Sequence, residues 1–269
     1  MRWRDRLPIR LRLTASAGQA PILSPEGGEG VVRQMVAHTV FDLLAWTVAA
    51  LLGRWIAKQG WLERTAPKRT LRSDPNYFTA LALGAVAGAI LFGSLNMNLA
   101  GLFTFGHSIA GALAGGIIAV EAYKWRHGLR GSTGLMFVAP LAVGIAVGRI
   151  GCFLAGLPDY TYGTPTALPW GVDFGDGVQR HPVQLYESAA MLVFLLLYLR
   201  GVAQGSALFL RDGFYVFVAW YGTQRFMWEF LKPYPKLFGP FNLFHMLCLA
   251  MMAYASFMIV RSNDLRPAV

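Results

Sequence analysis

The sequence predicts an all-α, polytopic membrane protein with about seven transmembrane helices and a long extracytoplasmic loop between spans four and five. Three observations carry that expectation. Of 269 residues, 55% are hydrophobic and only 14% charged, where a soluble domain carries about 25% charge. The mean hydropathy is +0.44. About seven blocks approach the roughly 20 apolar residues a spanning helix needs. An ordinary cytosolic enzyme, a disordered protein and a compact nucleic-acid-binding domain are thereby excluded.

Residues 1–33 carry Arg2, Arg4, Arg6, Arg10 and Arg12, then a Gly/Pro/Ser/Ala-rich stretch. No apolar core follows the arginines directly, as a signal peptide requires. The segment reads as a flexible basic tail, or as residues upstream of a start at Met35. Residues 34–262 form the expected seven-span domain, and 263–269 a short cytoplasmic tail. The expected spans are about 35–53, 77–97, 103–123, 134–155, 183–200, 208–230 and 239–260. Gly84-x-x-x-Gly88 and Gly111-x-x-x-Gly115 suit close helix approach, though glycine is also common in membrane helices generally.

The formal charge of +10, from 24 Lys+Arg against 14 Asp+Glu, orients the spans. Loop one carries Arg54, Lys58, Arg64, Lys68, Arg69 and Arg72, and loop three Lys124, Arg126 and Arg130. Loop four, 156–182, has Arg180 as its one basic residue against Asp159, Asp173 and Asp176. Basic loops stay cytoplasmic, which places the C-terminus inside and loop four outside. The basic excess fits loops and anionic headgroups rather than nucleic acid. Cys152 and Cys248 lie in apolar surroundings and suggest neither a disulfide framework nor a metal site.

Polar residues at membrane depth are costly and therefore informative. His38 opens span one, His107 begins span three, and Arg149 lies deep in span four. Arg180, His181, Gln184, Tyr186 and Glu187 lead into span five, and Arg225 and Glu229 close span six. The expected topology brings all of them to the outer face. Arg149 needs an anionic partner. That partner is either a phospholipid phosphate, which a guanidinium fork suits, or Glu187 or Glu229. Arg225 has Glu229 one turn away. His107 and His181 are each a candidate general base or a hydrogen-bonded interfacial histidine, and Tyr186 could equally be an interfacial anchor. Glu121 and Lys124 read as structural, and His245 and Cys248 as core. Pro165 and Pro169 keep loop four from forming a regular helix, so it reads as a lid or site wall, or as a plain connection.

These residues also carry a resemblance. Gly148-Arg-Ile-Gly-x-Phe153, Gly163-Thr-Pro-Thr-x-Leu-Pro-Trp170, Arg180-His-Pro-x-Gln-Leu-Tyr-Glu187 and Arg225-x-x-x-Glu229-Phe resemble the prolipoprotein diacylglyceryl transferase family in order and spacing. The resemblance runs from about 35 to 260 and is most specific over 148–187. It implies a seven-span enzyme of the bacterial inner membrane, with its site near the extracytoplasmic side. Such an enzyme moves diacylglyceryl from phosphatidylglycerol to the lipobox cysteine of a preprolipoprotein, releases glycerol phosphate, and needs no metal or organic cofactor. Arg149 and Arg225 match the family's functional arginines, and Gly163 the glycine after its acidic residue. The family reads Gly-Arg-x-Gly-Asn-Phe-x-Asn-Gly-Glu where this chain has Cys152, Ala155 and Leu157, with Asp159 nearby as a replacement carboxylate. The family's His-Gly-Gly reads Ala110-Gly111-Ala112, with His107 three residues earlier on the expected helix face. His38 stands where the family has tyrosine. Alternatives are the same fold and lipid donor with another acceptor, or a lipid-binding or transport protein without catalysis.

Overall fold

A computed structural model describes residues 25–62 and 74–264. Residues 1–24 of the expected tail, the basic positions Arg64, Lys68, Arg69 and Arg72, and residues 265–269 lie outside the described residues. Among those described, seven α-helices follow in order: α1 (Pro25–Gln59), α2 (Pro75–Leu99), α3 (Ile109–Arg126), α4 (Val138–Ala155), α5 (Val183–Ala203), α6 (Ala207–Glu229) and α7 (Leu243–Asp264). Residues 25–33, expected as tail, are the first turns of α1.

Five helical segments are long and apolar enough to cross a membrane: Met35–Gln59, Pro75–Leu99, Leu135–Ala155, Val183–Ala203 and Leu243–Ser262. Helices α3 and α6 are weaker for a physical reason. The 18 residues of α3 include Glu121, Lys124 and Arg126. Helix α6 carries Arg211, Asp212, Arg225 and Glu229, with the last three buried. Those three charges face the protein interior instead of lipid, as charged groups at membrane depth must.

Two helices start later than the sequence predicts. Residues 103–108 do not belong to α3, because Ser108 caps the helix and its hydroxyl accepts from the Gly111 amide at 3.1 Å. His107 is therefore in an exposed connection and does not share a helix face with Ala110. Before α7, the Asn242 carboxamide oxygen accepts from the amides of Phe244 at 3.0 Å and His245 at 3.1 Å. That cap delays the helix to Leu243, past Gly239 at φ +54°.

The helices pack as antiparallel neighbours, α1 on α4, α2 on α3, α4 on α5 and α6 on α7. The two glycine pairs meet each other at the α2–α3 crossing. A Cβ added at Gly88 would run into the Gly111 carbonyl, and one added at Gly84 into the Gly115 carbonyl. The close-approach reading of that spacing holds here. Between α4 and α5, the Ser188 hydroxyl donates to the Ala146 carbonyl at 2.8 Å. The buried core runs through Val138, Ala142 and Ala146 of α4, Met191, Phe194 and Tyr198 of α5, and Phe217 and Tyr221 of α6.

Loop four is ordered. A 3-10 turn, Leu157–Asp159, leads to strands β1 (Val172–Asp173) and β2 (Gln179–Arg180), paired antiparallel with Val172 opposite Arg180. Residues 163–166 add along the other edge: the Gly163 amide donates to the His181 carbonyl, and the His181 amide to the Thr164 carbonyl, each at 3.1 Å. The Thr164 amide donates to the Leu231 carbonyl at 2.6 Å. That bond ties the loop across the end of the bundle to the α6–α7 connection.

Candidate active site

The antiparallel packing collects the C-terminal ends of α4 and α6, the N-terminal ends of α5 and α7, and loop four at one end of the molecule. Five charged side chains converge there. Arg149 (α4) places Nε 2.7 Å from Glu187 Oε2 (α5). Arg225 (α6) approaches Glu187 Oε1 at 2.5 Å and Glu229 Oε2 at 2.9 Å. Lys232 Nζ, in the α6–α7 connection, donates to Glu187 Oε1 at 2.9 Å. Asn242 Nδ2 donates to Glu229 Oε1 at 3.2 Å. All are buried.

Three cations face two carboxylates, so this cluster carries one excess positive charge when Lys232 is protonated. Burial and the neighbouring Arg225 guanidinium push the Lys232 ammonium down to about 8, against the pull of Glu187. A carboxylate held by three cations offsets their desolvation only where geometry is close, and here it is.

A second cluster adjoins the first. His38 Nε2 (α1) lies 2.7 Å from Asp159 Oδ1, and the Thr161 hydroxyl donates to Asp159 Oδ2. Burial raises the Asp159 carboxyl, but the hydrogen bonds from His38 and Thr161 prevail and hold it below the usual carboxylate range. Cys152 Sγ (α4) is 3.9 Å from Arg149 Nη1 and links the two groups. Helix α1 is held against α4 at this level, since a Cβ at Gly151 would strike the Phe41 side chain.

The remaining sequence-selected residues stand around this centre. Gln184 sits one turn before Glu187 on α5, wholly buried, and neither carboxamide atom has a hydrogen-bond partner among the described residues. Gly163 packs so tightly on His181 that any side chain would collide with it. Arg180 pairs with Asp176 at 2.7 Å and lies over the Tyr162 ring. His181 Nδ1 is 3.4 Å from the Tyr186 hydroxyl, which also accepts from Trp170 Nε1 at 2.8 Å. Neither His181 nor His107 touches the Arg149–Glu187–Arg225 network. The His107 imidazole makes no hydrogen bond or ion pair among the described residues.

Sequence reasoning did not single out Lys232 or Asn242, and did not unite Cys152 with His38 and Asp159. The available signal for Lys232 was its place three residues after Glu229 (one helical turn, were α6 to continue). At the opposite end, Glu121 pairs with Lys124 and accepts from the Tyr254 hydroxyl, each at 2.7 Å, as expected of a structural group. His245 and Cys248 are fully buried.

A cavity of about 730 Å³ lies between the helices, and none of the five clustered charged side chains is among its lining. It runs between α1, α2, α3 and α4, along Leu81, Ile117 and Leu141, from Tyr77 and Lys124 up to Gly148, the residue before Arg149. Its lining is overwhelmingly apolar. Gly144 and Gly148 face open space there, with no atom within 4 Å of an added Cβ.

Apolar helices long enough to cross a membrane, with a buried charged cluster collected at one end, define a multi-pass helical membrane protein. Residues 34–261 match the family model described as prolipoprotein diacylglyceryl transferase, and the chain belongs to that family. Similar relatives named phosphatidylglycerol–prolipoprotein diacylglyceryl transferase include those of Solidesulfovibrio magneticus (33% identical, covering 81% of this chain and 87% of the relative) and Methylococcus capsulatus (30%, covering 82% and 90%). That of Rhodospirillum centenum is 32% identical, covering 70% of this chain and 73% of the relative. No solved structure matches the chain.

Proposed function

We propose that this chain transfers diacylglyceryl from phosphatidylglycerol to the lipobox cysteine thiol of a preprolipoprotein and releases glycerol phosphate. The carrying observation is the buried cluster with one excess positive charge, whose Arg149 follows directly on Gly148, where the lining of the apolar cavity stops. A phosphate diester bears one negative charge and two acyl chains, and this arrangement has a place for each.

In this reading Arg149 and Arg225 hold the phosphate while Lys232 and Glu187 fix their forks. The acyl chains lie in the cavity toward Leu81 and Ile117. Gln184, whose buried amide needs a partner, takes a headgroup hydroxyl. Loop four, with Gly163, Arg180 and Tyr186, walls the site. The acceptor sulfur attacks the glyceryl carbon next to phosphate, the C–O bond breaks, and glycerol phosphate leaves with the electron pair. As charge develops on that oxygen, the arginines stabilise it. The thiol proton passes to a base, for which His181 and His107 at the same end are the candidates.

The protein spans the inner membrane seven times, with the three buried charges of α6 turned into the bundle and residues 34–262 as the transferase domain. The site lies near the extracytoplasmic side and the C-terminus in the cytoplasm. Supporting that orientation, Arg54 and Lys58, with Lys124, Arg126 and Arg130, fall at the end opposite the site. The test is incubation of the purified, folded chain with labelled phosphatidylglycerol and a lipobox peptide. A diacylglyceryl-peptide is expected, and its absence overturns the proposed activity.

A further inference from the structure

We infer that His38, Cys152 and Asp159 form a three-ligand site for a divalent transition metal of the zinc class. Their donor atoms, His Nε2 or Nδ1, Cys Sγ and a carboxylate oxygen, all lie within 4.8 Å of one another. Tetrahedral zinc with bonds of 2.0–2.3 Å separates its ligand atoms by about 3.4–3.7 Å. The His38–Asp159 contact of 2.7 Å need open by only about 1 Å to admit the ion in place of the shared proton.

The donor set selects the metal. One sulfur, one imidazole nitrogen and one carboxylate suit zinc or cobalt and disfavour magnesium and calcium, which take oxygen. A thiolate and a carboxylate balance a dication. The Thr161 hydroxyl donates to the second Asp159 oxygen, the kind of outer contact that orients a ligating carboxylate. The Arg149 guanidinium near Cys152 Sγ has its own charge met by Glu187, so it does not compete with the ion for Asp159. The phosphate cluster leaves His38 and Cys152 without a task. His38 and Cys152 stand at two of the positions where the chain departs from the family pattern given above, and Asp159 lies two residues after a third, Leu157.

Three protein ligands leave a fourth position open. Resting on the transfer reaction proposed above, that position takes the acceptor cysteine. A coordinated thiol is deprotonated outright. Its proton passes to the base of the transfer reaction, the thiolate sulfur bonds to the glyceryl carbon, and the C–O bond breaks so that glycerol phosphate leaves with the electron pair on the Arg149 side.

The experiment is metal reconstitution of the full chain, purified in detergent, stripped with chelator and loaded with Co²⁺ or Zn²⁺. About one equivalent should be retained, and the Co²⁺ form should show a near-ultraviolet thiolate-to-cobalt band with tetrahedral visible bands. Cys152→Ser should abolish the thiolate band, and His38→Ala and Asp159→Asn should each weaken metal binding by at least tenfold. Helical content by circular dichroism serves as the control for folding, because Cys152 touches Arg149 of the phosphate cluster and lipid retention is not independent of it. No retained metal, or a Co²⁺ spectrum unchanged in Cys152→Ser, overturns the site. A thiolate-ligated metal in a chain that transfers no lipid supports the site and overturns the transfer reading.

Discussion

Replacing Glu187 by glutamine tests whether the buried charges act as one unit. Glu187 meets Arg149 at 2.7 Å, Arg225 at 2.5 Å and Lys232 at 2.9 Å, and its side chain is 1% exposed. Glutamine keeps the shape and removes the charge, so three cations face Glu229 alone and the excess rises from one charge to two. Removing one partner of a buried ion pair costs about 3–5 kcal/mol. The three contacts do not multiply that figure, because they share one desolvated carboxylate. Unfolding in mixed detergent micelles should therefore shift by about 3–5 kcal/mol for Glu187→Gln. Adding Lys232→Met should restore part of the loss, with a coupling of about 0.5–3 kcal/mol. A Glu187→Gln effect below about 1 kcal/mol, the scale of an exposed pair, would refute the reasoning.

Arg149→Lys keeps the charge and loses the planar fork, so turnover should fall by on the order of 10–100-fold; full turnover in the labelled-lipid assay would make Arg149 a structural cation only. Gly144→Leu places a side chain in the cavity, with open space around its Cβ. It should fold normally by circular dichroism yet lose about tenfold or more in retained phosphatidylglycerol. As pH rises through about 8, Lys232 loses its proton and the excess positive charge disappears, so lipid-anion binding should weaken, and Lys232→Met should remove that step. The stability effect has the opposite sign. The protonated Lys232 costs stability in full below about 8, and the cost is relieved as pH climbs toward the ordinary lysine value of 10.5. Chemical unfolding measured across that range reads the slope.

Much of this fold was legible because hydropathy marks helices that face lipid. All seven apolar blocks appear as helices, and the α2–α3 crossing sits at the glycine spacing that allows it. Helix ends were less legible. Residues 103–105 are as apolar as a span, and the interruption before α3 comes from a single serine cap at Ser108. Of the site, Arg149, Glu187, Arg225 and Glu229 could be read because ionised groups at membrane depth are rare. Lys232 could not, since a lysine between a span and two prolines looks like any interfacial lysine. The His38–Cys152–Asp159 cluster lay hidden for another reason. It joins three segments distant in sequence, and each residue alone has an ordinary explanation.

The central claim is that a phospholipid phosphate sits on the Arg149–Arg225–Lys232 cluster. The most direct measurement is the amount of phosphatidylglycerol retained by the purified wild-type chain and by Arg149→Ala, at matched helical content. A loss of tenfold or more, about 1.4 kcal/mol or greater, is predicted for the variant. Equal retention by the two proteins would contradict the account.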